Sequence, residues 1–193
     1  IGLSSYPRFN SPYEVGDALK DVGVDIVSMA NNHTLDRGEQ SIINATNYLN
    51  SIGIKYVGSY QNEADKSKPR IISRKGISVG FLAYTYGTNG IPVPEGKDYL
   101  VNLIDEEKII ADIKALKPNT DCIVVSMHFG QEYQPLPNDE QIHLAELLTA
   151  NGANVIIGHH PHVLQPVDWL ISDTGEQHFV SYSLGNFISG QVG

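Results

Sequence analysis

Short apolar runs alternate along this chain with segments of helical period, the pattern of an α/β fold. Ser11-Pro12-Tyr13-Glu14 predicts a helix start, with Ser11 as cap, Pro12 at the first helical position and Glu14 reaching back. That helix is expected to run to about Asp21 and to end at Gly23. A strand over 25–29 comes next. A helix over 38–51 follows, with Ile42, Ile43, Ala45, Thr46 and Leu49 as its apolar stripe and Gly53 closing it. Lys55 to Val57 predicts a short strand, and 59–69 a polar loop. Residues 70–73 and 77–84 predict a hairpin turning at Arg74-Lys75-Gly76. The glycines and prolines within 85–104 predict a long surface excursion of the kind that borders a site. A helix over 105–116, a strand over 121–127, a helix over 139–150 and a strand over 154–157 continue the alternation. Asn138, with Gln141 three residues on, caps the third of these. An antiparallel pair, about 166–171 and 178–184, closes the chain by turning at Asp173-Thr174-Gly175.

Composition narrows the class without naming a function. With 193 residues, 41% hydrophobic and 18% charged, one globular domain over 1–193 with a real core is expected. A formal net charge of -9, with acids and bases interspersed, argues against nucleic acid as partner. Cys122 is the only cysteine, so no internal disulfide forms, and its place in an apolar run predicts a small core residue. No apolar run approaches the roughly 18 residues of a membrane-spanning helix. The chain opens at Ile1 without a methionine and stops at Gln191-Val192-Gly193, which reads as a piece of something longer.

Chemistry concentrates at three strand ends. Asn31-Asn32-His33, Ser126-Met127-His128 and Gly158-His159-His160-Pro161-His162 each directly follow a short apolar strand. Ligands of open α/β sheets bind outside the carboxyl ends of strands, so neighbouring parallel strands would bring the three clusters to one crevice. Imidazole nitrogen and carboxamide oxygen suit Mn²⁺, Fe or Zn²⁺. His143 and His178 lack such a setting and read as structural. Asparagines after a strand also serve as turn formers. Three imidazoles within four residues are harder to satisfy without a metal or an anion.

The stretches ANNHTLDRG, MHFGQEY, GHHPHVLQP and YSLGNF, in this order, resemble the CapA family of poly-γ-glutamate capsule synthesis proteins. That family lies within the calcineurin-like metallophosphatase superfamily. The resemblance implies an α/β fold of mixed sheet layers flanked by helices, here truncated at the N-terminus. It implies Asn32, His128, His160 and His162 as metal ligands, and His33 as the general acid or the stabiliser of phosphoryl charge. His159 is extra to the pattern, a neighbour of the ligands or a ligand itself if the register shifts by one. Asn31 lies beside the metal ligands in the same motif. Asp36 is placed to orient the His33 imidazole. Arg37 either grips a substrate phosphate or carboxylate, or is a solvated residue at a helix start. Glu132 and Asn186 are expected to contact substrate or to order their loops.

The sequence departs from the superfamily pattern in one respect. An early Asp-x-His or Gly-Asp motif and the carboxylate that bridges two metals are missing, and Glu14 and Asp17 fall on a helix. Asn32, His128, His160 and His162 are all neutral donors. Two cations repel unless a bridging carboxylate offsets their charge. The whole protein is therefore expected to hold two divalent metals, and this chain one weakly or none, with little activity of its own. An unprotected sheet edge would invite a dimer. The resemblance further implies a surface or membrane-associated, outward-facing protein that works with capsule synthesis membrane proteins. Its ligand would be anionic, either a phosphoester or poly-γ-glutamate. Two readings of function remain: metal-assisted hydrolysis of a phosphoester or related bond, or a non-catalytic binding and assembly component of the capsule machinery.

Overall fold

The computed structural model describes residues 2–172 and 174–187, so Asp173 of the expected closing turn lies outside them. The described chain forms two compact units. One runs up to Arg70 and takes in Ala83–Ile104; the other comprises Ile71–Leu82 and the chain from Asp105 onward.

The first unit is built on a β-α-β step. β1 (Ile26–Ser28) leads through α2 (Gly38–Ser51) to β2 (Lys55–Val57), with α1 (Glu14–Asp21) ahead of them. The two strands pair in parallel, Ile26 opposite Lys55 and Ser28 opposite Val57. A parallel pair needs a crossover, and α2 supplies it. β1 is thus not a neighbour of the other motif-bearing strands in one sheet, as a single crevice at neighbouring strands would require. α1 begins later than expected: its N-cap is Tyr13, with no side-chain cap, and the Ser11 box does not form. Its end is as expected, with Gly23 at φ 86. Polar residues 59–69 hold a one-turn helix, α3 (Glu63–Lys66), capped by Asn62 accepting from the Asp65 N–H. The 85–104 segment is not wholly a surface excursion. Leu100 and Val101 pack with Leu35 and Ile42 in one core cluster, because a long segment rich in turns still carries apolar residues that must leave water.

The second unit holds most of a six-stranded mixed sheet in the order β3-β4-β5-β6-β8-β7. Its strands are β3 (Ile71–Arg74), β4 (Ile77–Thr85), β5 (Cys122–His128), β6 (Val155–His159), β7 (Val167–Ile171) and β8 (Gln177–Ser181). Lys75 and Gly76, both at positive φ, form the two-residue turn between β3 and β4, and Arg74 pairs with Ile77. β5 alternates half-buried and buried positions, with Ile123, Val125 and Met127 in the core. Cys122 is half-buried, and burial raises its thiol pKa. α4 (Glu106–Leu116) is capped by Asp105, and α5 (Asp139–Ala150) by Asn138.

The α5 cap is a complete capping box. Asn138 Oδ1 accepts from the Gln141 N–H at 2.9 Å, and Gln141 Oε1 accepts from the Asn138 N–H at 3.1 Å. Asn138→Ala should lower stability by about 1 kcal/mol, read as the urea midpoint at constant slope. No change at all would mean that the box contributes nothing to this helix. No described helix is long and apolar enough to cross a membrane.

Candidate functional site

The β5 and β6 ends build the richer of two clusters. The strands run parallel in a register that sets Met127 opposite Gly158 and His128 opposite His159. Gly158 has no room for a side chain, since a Cβ there would stand 2.0 Å from the Tyr182 carbonyl oxygen. Just beyond, the backbone turns sharply: His160 has φ 98 and His162 φ 62. Each such non-glycine residue costs about 1–3 kcal/mol and persists only where its surroundings over-determine it. They do so here. The Tyr133 N–H donates to the Pro161 carbonyl at 2.8 Å, and the Tyr133 ring stacks on His162 at 5.9 Å between centroids. His162 Nδ1 lies 2.9 Å from Asn186 Oδ1, an acceptor, so Nδ1 carries the proton and Nε2 keeps its lone pair.

The result is a three-residue donor set. Ligand atoms of Glu132, His160 and His162 all lie within 4.8 Å of one another. Donors sharing a tetrahedral cation lie about 3.4 Å apart, so this set is of the scale of a metal site and somewhat wider than a closed one. Two imidazoles and one carboxylate are the mix that suits Mn²⁺, Fe or Zn²⁺. A carboxylate therefore stands among the imidazoles, where the motifs alone offered neutral donors. The His128 ring is 4.9 Å from that of His160, centroid to centroid. His159 is not part of the set; it continues β6, and its burial pushes the imidazole pKa down. Burial disfavours the charged ring, so His159 is neutral near neutral pH.

The second cluster follows β1 in the first unit. Asn31 Oδ1 accepts the His33 N–H at 2.8 Å, so this asparagine shapes the turn. His33 Nδ1 sits 2.8 Å from Asp36 Oδ2, and the same oxygen accepts the Phe9 N–H at 2.8 Å. A buried carboxylate held in this way fixes the ring and its tautomer. Phe9 meets the His33 ring edge-on at 4.6 Å. Asn32 is buried and donates from its amide nitrogen to Asn89 Oδ1 at 3.1 Å, while Asn89 Nδ2 lies 3.4 Å from His33 Nδ1. Arg37 is the N-cap residue of α2, and its guanidinium donates to the Arg8 carbonyl at 3.3 Å.

Sequence reasoning missed Asn89, Phe9 and Tyr133. Asn89 had one local signal, its place before Gly90 in a segment rich in turns. Its φ of 51 is a conformation that asparagine tolerates better than most residues. Phe9 and Tyr133 carried none, because an aromatic in a loop looks alike whether or not a histidine lies against it.

The fold is the first likeness: its metallophosphatase-like α/β arrangement is shared with solved nucleotidase and thiohydrolase structures. A 5'-nucleotidase precursor from Thermus thermophilus superposes with TM-score 0.60 at 18% identity, covering 89% of this chain and 36% of that one. The sulfate thiohydrolase SoxB of the same organism superposes with TM-score 0.56 at 17% identity, covering 89% and 29%. The family is more particular: residues 2–191 match the bacterial capsule synthesis protein PGA_cap, and the chain belongs to that family. It is 33% identical over 176 residues to the PGA biosynthesis protein CapA of Bacillus subtilis (strain 168), across 90% of this chain and 44% of that protein. It is 32% identical over 187 residues to the capsule biosynthesis protein CapA of Bacillus anthracis, across 92% and 43%. The chain thus spans less than half the length of these two relatives.

Proposed function

We propose that this chain carries the metal-dependent hydrolytic site of a capsule biosynthesis protein, acting on a phosphoester or related bond of an anionic substrate. The observation that carries the reading is the convergence of Glu132, His160 and His162, with two of the three in left-handed backbone. Strain of that kind clusters at ligand sites. His160, His162 and Glu132 would hold a divalent cation, with His128 as a further ligand by family resemblance. When bound, the cation supplies Lewis acidity toward a phosphoryl or carbonyl oxygen.

The chain's own residues do the rest. Asn186 holds His162 in the tautomer that presents Nε2. Asp36 holds His33 with its proton on Nδ1, which leaves Nε2 to accept a proton or, when the ring is charged, to give one to a leaving oxygen. On the same reading the substrate is a phosphoester or poly-γ-glutamate. The protein works at the cell surface beside membrane proteins of capsule synthesis, and two copies would pair at an open sheet edge such as β7.

Elemental analysis of the whole protein and Mn²⁺-supplemented phosphodiesterase assays test the reading together. Metal near two equivalents per chain with hydrolysis is the expected result. Metal-free, inert protein would favour the binding and assembly role instead. In the same assay, His33→Asn should lower kcat at least 100-fold, roughly the scale of general acid–base catalysis, with metal affinity little changed. Equal losses of both would make His33 a ligand.

A further inference from the structure

The loop bearing Glu132 has no regular structure of its own, yet the stretch just after Glu132 is tied down by two buried glutamines. Gln141 is fully buried, and Gln165 is 6% exposed. Gln141 Nε2 donates to Gln165 Oε1 at 2.8 Å and to the Tyr182 carbonyl at 3.3 Å. Its Oε1 accepts the Asn138 N–H, which closes the far end of the loop. Gln165 Nε2 donates to the Gln134 carbonyl at 3.0 Å and to the Leu136 carbonyl at 3.1 Å. At the near end, Gly130 sits at φ 90, where a Cβ would come 2.6 Å from the Gln141 amide. Every amide atom of the pair therefore has an identified partner, and three of those partners, Gln134, Leu136 and Asn138, lie in the stretch that follows Glu132.

A loop this exposed would ordinarily sample many conformations. Two buried amides with all donors and acceptors matched are strongly directional, because any shift strands a polar group away from water. We propose that Gln165 and Gln141 are positioning residues: they hold the Glu132 loop in place so that its carboxylate meets His160 and His162 before any metal arrives. Gln165 follows His162 by three residues, so one stretch of chain supplies both a ligand and the clamp on the ligand opposite. This inference rests on the metal-site reading above and adds residues that touch neither metal nor substrate.

The test is a double-mutant cycle on metal affinity in the whole protein, by calorimetric titration with Zn²⁺ and Mn²⁺. Gln165→Met keeps length and removes both donors and the acceptor. It should weaken metal binding about 10–100-fold, the effect typical of groups that orient metal ligands. Glu132→Gln should also weaken it, and in that background Gln165→Met should add little, because the clamp has no carboxylate left to place. A purely structural role would lower thermal stability equally in both backgrounds and leave the affinities additive. Additive losses, or an unchanged Kd in Gln165→Met, would overturn the inference alone. An unchanged Kd in Glu132→Gln would remove the metal reading and the inference with it. Hydrogen exchange on the wild-type protein covers the case in which Gln165→Met does not fold. The Tyr133 and Asn138 amides should exchange slowly without metal; fast exchange that metal alone slows would show that the loop is not held in advance.

Discussion

With His160 and His162 both replaced by alanine, the whole protein should lose measurable divalent-metal binding and remain folded. The two imidazoles are two of the three donors that meet within 4.8 Å; what remains is Glu132, one exposed carboxylate, and His128, which is outside that set. One exposed carboxylate and one imidazole do not hold a transition metal measurably against its hydration shell. The cost in stability is smaller than the cost in binding. His162→Ala removes the bond to Asn186 and the stack with Tyr133, each worth about 1 kcal/mol. His160 is 8% exposed, and its removal opens room beside His128 without breaking a strand. Alanine tolerates positive φ somewhat less well than histidine, so the backbone adds a small further cost. Titration calorimetry with Zn²⁺ reads the binding, and a thermal melt reads the fold. Wild-type affinity in a folded double variant would sink the site. His159→Ala is the discriminating partner: His159 lies outside the donor set, so its loss should spare binding, and the reverse result would move the ligand register by one.

The largest effect on stability is expected from Gly158→Ala. A Cβ at this position would lie 2.0 Å from the Tyr182 carbonyl oxygen, 2.5 Å from its carbon and 2.8 Å from the Ser181 oxygen. All three are backbone atoms, so no side chain can swing aside. Either β6 or the segment after β8 must move, and the two are tied together by the bond from the Leu184 N–H to the Gly158 carbonyl. Overpacking of a tight interior costs about 1–3 kcal/mol, and a clash with backbone that no side-chain movement relieves belongs at or above the top of that range. For a chain of this size that corresponds to a fall in Tm of about 6–12 °C. Gly158 directly precedes the histidine run, so metal affinity should fall with stability. A variant that melts within about 2 °C of wild type would mean that the two segments are less closely packed than this geometry states.

What the sequence determined by itself is what short-range chemistry encodes. Asn138 and Gln141 cap α5 because both partners lie within one helical turn of each other. Lys75-Gly76 turns the first hairpin because two positive φ values suffice. The order of strands and helices, the fold class and the four family motifs were legible for the same reason. Local patterns failed where a stronger competitor lay elsewhere: Ser11 does not cap α1, and Leu100 and Val101 leave the surface because Leu35 and Ile42 offer them a core. Only the tertiary structure decided that Glu132 belongs with His160 and His162, that Asn89 bonds Asn32, and that Gln165 reaches across to the Gln134 and Leu136 carbonyls. These partners are distant along the chain: 57 residues separate Asn32 from Asn89, and 31 separate Gln134 from Gln165. No periodicity or spacing can announce a contact whose geometry exists only after the strands have paired and the loops have closed.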